Sequence, residues 1–159
     1  MNELELIDAL IERLKAVNAD FQYKKPNTKT DELVNFNYFD FDLPAKRSVA
    51  PNSDGFPYII TRMTDGKVQS RDDNIVNITM VIGIYDDDLE HQGYKDAVLA
   101  MMRIRRDLFA NPILNNGAVF DSNFDWLVID DQPYPYYKLA ITTGWNIKSP
   151  QWSQHSELI

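Results

Sequence analysis

The side chains in this 159-residue chain best suited to chemistry are two histidines and a large population of carboxylates. His91 lies in the polar stretch DDDLEHQG, and His155 in the polar segment KSPQWSQHSELI. A catalytic histidine needs a positioned partner and a pocket. Neither context offers one, so both read as surface histidines. The carboxylates cluster as Asp72-Asp73, as Asp86-Asp87-Asp88 with Glu90, and as Asp130-Asp131, each at an expected strand end. Carboxylates converging at sheet ends can hold a divalent cation through oxygen ligands, or act as an acid/base pair on a glycosidic bond. Consecutive Asp side chains diverge, however, and the D-x-[DN]-x-[DN]-G spacing is missing. Solvated turns explain the same clusters.

The remaining signatures of catalysis are missing from the sequence. It has no G-x-S-x-G, no P-loop, no G-x-G-x-x-G and no H-E-x-x-H. With no cysteine, disulfides, thiol catalysis and cysteine-ligated zinc are excluded. The expectation is a chain with no catalytic residue, no cofactor and no bound metal. Sixteen basic against 24 acidic residues give a net charge of −8. That balance is opposite to what a generic nucleic-acid binder needs, because phosphate neutralisation supplies most of such affinity. No apolar run approaches the ~20 residues of a membrane span. The opening MNELELIDA carries acidic residues where a signal peptide carries basic ones, so the expected location is the cytosol.

The elements that must position these residues follow from periodicity. Leu4, Leu6, Ile7, Leu10, Ile11, Leu14 and Val17 fall on one arc at 100° per residue, which predicts an amphipathic helix over Leu4–Val17. From about 20 to 55 the chain turns polar and proline-punctuated. Its flanks QYKKPNTKTDE and AKRSVAPNSDG read as mobile loops with little to bury. Between them, NFNYFDFDL puts Phe36 and Tyr38 on one parity but Phe39, Phe41 and Leu43 on the other. That change of phase suggests a bulge near Tyr38 or two short strands.

A strand is expected over Phe56–Met63, closed by the turn Asp65-Gly66. A long strand follows over Asn74–Tyr85, with Val76, Ile78, Met80, Ile82 and Ile84 on one face. A second helix spans about Tyr94–Phe109 and stops at Asn111-Pro112. Two strands then flank the turn DQPYPY, the second with Leu139, Ile141, Thr143, Trp145 and Ile147 on one side. The pattern predicts an α+β fold, a mostly antiparallel sheet with two α-helices on one face. Residues 1–148 form one domain and 149–159 a polar tail.

Aromatic residues are placed unusually. Tyr134, Tyr136 and Tyr137 alternate with prolines in a turn, and Trp152 lies in the tail. Rigid exposed aromatics suit a contact surface; capping one end of the core is the competing reading.

The segments FPYIITR, IGIYDDD and GYKDAVLAMMRIRRDL, and the Trp-containing strand running into DDQPYPYYKLAITTGW, resemble one family over Phe56–Trp145. It is the tail terminator (tail completion) family of long-tailed bacteriophages and prophages. The resemblance implies an α+β subunit without catalytic residues. It also implies a ring, usually hexameric, on the head-proximal end of the tail tube. The implied partners are further copies of the chain, the major tail tube protein and the head connector or neck proteins. DNA only passes through, which an acidic ring suits, and the implied locations are the host cytoplasm and then the virion. A head–tail joining or neck protein of similar size is the nearest alternative. A small metal-dependent hydrolase using the Asp clusters is the alternative from another class.

On the second helix, Arg105 falls inside the apolar arc between Tyr94 and Val98, while Arg103 and Arg106 fall outside it as solvated surface. A guanidinium in an apolar stripe needs a carboxylate or carbonyl partners if buried; otherwise its stem snorkels along the core. Under the ring reading, Arg105 pairs within its own sheet or with a neighbouring subunit. Arg105, Tyr134, Tyr136, Tyr137 and Trp152 are the expected interface residues.

Overall fold

The first apolar arc builds α1 (Glu3–Val17), which buries Leu6, Ile7, Ala9, Leu10 and Leu14. Its start is set by Asn2, whose Oδ1 accepts a hydrogen bond from the Glu5 amide at 2.8 Å while its Nδ2 donates to Glu5 Oε1 at 3.0 Å. Such a cap contributes ~1 kcal/mol. The structure, a computed structural model, describes residues 1–26, 32–43, 55–130 and 134–147.

Eight strands follow α1: β1 (Tyr23–Lys24), β2 (Leu33–Val34), β3 (Asn37–Asp40), β4 (Tyr58–Ser70), β5 (Asp73–Tyr85), then, after α2 (Gln92–Ala110), β6 (Ile113–Leu114), β7 (Ala118–Ile129) and β8 (Tyr136–Ile147). Strands β1 and β2 form a small ladder of their own, and the other six run in the order β3-β4-β5-β8-β7-β6. Every pair in the large sheet is antiparallel except β3–β4. The fold class is α+β, as the sequence predicts.

One face of the sheet is closed by both helices. Val76, Ile78, Met80, Ile82 and Ile84 of β5 and Leu139, Ile141, Trp145 and Ile147 of β8 share a core with Leu10 and Leu14 of α1 and Ala97, Met101, Ile104 and Leu108 of α2. Each fully buried aliphatic side chain there contributes ~1.5–3 kcal/mol. Arg13 ties the helices together: its guanidinium donates to Asp107 Oδ2 at 3.2 Å and to the carbonyls of Asn111 and Ile113 at 3.1 Å. Among the described residues no helix is long and apolar enough to cross a membrane.

The structure corrects three expectations. Asp65-Gly66 is no turn: β4 continues to Ser70, and the reversal falls at Arg71-Asp72. The extra residue Thr64 bulges between Met63 and Asp65, which accommodates the turn-like dipeptide inside a strand. Nor does NFNYFDFDL slip phase. β3 is a single strand with apolar residues on both sides, since Phe36 and Tyr38 join the helix-side core while Phe39 and Leu43 pack with Phe56, Tyr58 and Ile60 opposite. The flank QYKKPNTKTDE does bury a side chain: Tyr23 is buried, its ring 4.4 Å from that of Phe36. The other expectations for the 20–55 region fall at 27–31 and 44–54, and the tail at 149–159; these lie outside the described residues.

Candidate functional site

The carboxylate clusters separate to opposite ends of the sheet. Asp72 and Asp73 sit at the β4–β5 reversal, where Asp73 Oδ1 accepts from Asn146 Nδ2 at 3.0 Å. Asp86, Asp87, Asp88 and Glu90 follow the other end of β5. There Lys24 Nζ lies 3.2 Å from Asp86 Oδ1 and 2.9 Å from Asp87 Oδ1. Asp86 Oδ1 also accepts the Asp88 amide, and Asp88 Oδ1 the Glu90 amide. The ammonium holds the Asp87 carboxyl below its ordinary range, while Asp87 and Asp86 hold the Lys24 ammonium above its own. The Asp86, Asp87 and Asp88 carboxylates are engaged by one lysine and by turn amides, and no three metal-ligating side chains converge among the described residues. His91 is exposed at the start of α2, with a left-handed backbone (φ 61°) and no capping hydrogen bond from its side chain. Asp131, Trp152 and His155 lie outside the described residues.

The three tyrosines of the turn have three fates. Tyr137 is buried, its ring 4.4 Å from Tyr94 and pressed onto Gly93. A Cβ at position 93 would lie 2.0 Å from that ring, so α2 can approach β8 only with glycine there. Tyr136 packs between Phe56 and Tyr85 on the far face. Tyr134 alone is exposed, and its hydroxyl donates to the Asp87 carbonyl. The first two side chains cap the core, and Tyr134 is left as a surface group. Nearby, Asp130 accepts a 2.6 Å hydrogen bond from the Tyr94 hydroxyl and pushes that phenol up to about 12.

On α2 the arginines exchange roles. Arg105 is half-buried and has no hydrogen bond or ion pair among the described residues. Arg103, expected as solvated surface, lies with its guanidinium carbon 3.5 Å from the Phe21 ring centroid and donates to the Tyr23 hydroxyl. The apolar arc of α2 gives no sign of this, because the partners sit some eighty residues away and cover the flank of α2 from outside.

The feature missed in the sequence is a pair of open sheet edges. On one side, β3 covers β4 only over Tyr58–Thr61. On the other, β6 covers β7 only at Ala118 and Val119. Among the described residues no strand flanks Arg62–Ser70 or Asp121–Ile129. The β7 edge carries Trp126, Leu127 and Val128, exposed by 52%, 66% and 36%. Three consecutive apolar residues cannot all point inward in a strand of period two; that was the available signal. What the sequence could not supply was the strand order that makes β7 an outer strand.

The chain matches no protein-family model and no curated protein.

Proposed function

We propose that this chain is a structural subunit of phage tail assembly, a tail terminator that forms a ring on the head-proximal end of the tail tube. The resemblance over Phe56–Trp145 supports this reading. The observation that carries it is the exposed Trp126-Leu127-Val128 run on the edge of β7 that no strand flanks among the described residues. An open, apolar edge is a template for pairing with another chain and a liability if left bare. A subunit of a cyclic ring meets two neighbours through unlike surfaces, which gives such an edge a partner in every copy. The net charge of −8 suits a ring that lets DNA pass without holding it.

The test is to add the purified chain to polymerising tail tube subunits. The reading requires shorter tubes that carry a ring at one end and stop growing. Tubes of unchanged length with bare ends would overturn it. Binding to head connector proteins without any effect on tubes would assign the chain instead to the head–tail joint.

A further inference from the structure

The two open edges match in length, direction, face and charge. Rows of paired residues run across β4, β5, β8 and β7, with extra residues bulged at Thr64 and Gln69 of β4 and at 121–123 of β7, and each neighbouring pair there is antiparallel, so β4 and β7 run in opposite directions. A copy placed beside the first with the same side of its sheet facing out therefore brings β4 against β7 as an antiparallel pair. Level placement is blocked. β3 already occupies the space beside Tyr58–Thr61, level with Trp126–Ile129, and would collide with β7 of the neighbour. A shift of four rows, ~13 Å along the strands, removes the collision and lays Arg62–Val68 of β4 on Phe124–Ile129 of β7, ending at the bulge of residues 121–123. Over the four strands that each copy contributes, this shift corresponds to a tilt of ~35°, within the range that closed sheets adopt.

We infer that a second copy of this chain adds its β4 edge to the β7 edge of the first in this staggered register, setting Lys67 of one copy beside Asp125 of the next. The inference rests on the ring reading and specifies its contact. Lys67 pairs with Ile75 in β5, and Asp125 shares a row with Thr142 and Thr79, so both lie on the face away from the helices. The same stagger puts Met63 beside Val128 on the helix face, where both side chains meet apolar neighbours. It also puts Trp126 beside Gly66, whose missing side chain leaves room for an indole. Like faces meet, a cation meets a carboxylate, and the largest exposed aromatic among the described residues meets a glycine.

The chain has no cysteine, so single cysteines report contacts without background. Lys67→Cys and Asp125→Cys variants, both at exposed positions, are mixed and treated with a short bismaleimide, beside an Arg62→Cys and Asp125→Cys mixture. The inference requires covalent dimers from the first mixture, at least ten-fold more than from either single variant alone, and few from the second. It also requires a ladder of multimers from the Lys67→Cys/Asp125→Cys double variant. Capture by Arg62→Cys instead would overturn the stagger, and capture within one single variant would mean a two-fold contact and overturn the head-to-tail edge. Rings that assemble without any capture would overturn the edge pairing and leave the ring reading standing. A wild-type chain that never associates would overturn both.

Discussion

Lys67 and Asp125 lie on the same face of the sheet at its two open edges, one on β4 and the other on β7, and neither has an ion-pair partner among the described residues. Within one chain, β5 and β8 separate them. Between two staggered copies they become neighbours, so charge reversal tests the pair. Lys67→Asp or Asp125→Lys alone should raise the concentration needed for assembly several-fold, since an exposed pair contributes ~0.2–1 kcal/mol per contact. The double reversal should recover most of the loss, and the penalty of each single change should shrink at high salt. Light scattering across a dilution series reads all three; equal losses in the singles and the double would contradict the pairing.

Trp126 separates assembly from folding. Its side chain is half exposed on an outer strand, so Trp126→Ala should leave monomer stability within ~0.5 kcal/mol. A tryptophan at the centre of an interface typically contributes ~2 kcal/mol or more, so self-association should weaken by ~30-fold. Urea unfolding beside light scattering checks both halves of the claim.

The arginines of α2 should divide in the same way. Arg103→Ala loses the Phe21 stacking and the Tyr23 hydrogen bond, worth ~1–2 kcal/mol together. Arg105→Ala, with no such partner among the described residues, should leave the melting temperature near that of wild type. An Arg105 contribution to the ring is then read only in ring yield. Equal melting temperatures for the two variants would contradict the placement of Arg103.

The arcs of α1 and the alternation of β5 and β8 were readable because one apolar face against one polar face leaves a local trace. The β4 course through Asp65-Gly66 was not, because a bulge in a strand uses the residues of a turn. β3 misled because both of its faces are covered. The edge status of β4 and β7, and hence the value of Lys67, Asp125 and Trp126, depends on strand order, which no local pattern encodes.

Asp96 should make stability depend on pH. Burial raises its carboxyl above the ordinary value, partly offset by a 3.0 Å hydrogen bond from Gln92 Nε2. A folded-state pKa above the unfolded one means that the charged form opposes folding at neutral pH, and that this cost shrinks as pH falls through the raised folded-state value and is gone below the unfolded value, about 4. Asp96→Asn should therefore match or exceed wild-type stability at pH 7 and lose that advantage in acid. Denaturant titrations at several pH values check the sign; a variant that gains on the wild type as pH falls would contradict it.

Multi-angle light scattering of the purified wild-type chain, followed by negative-stain imaging of the same peak, tests the central claim most directly. The account predicts one assembled species near six times the 18.4 kDa of a single chain, seen as closed rings with a central opening. A chain that remains monomeric at high concentration, with and without tail tube subunits, would contradict it.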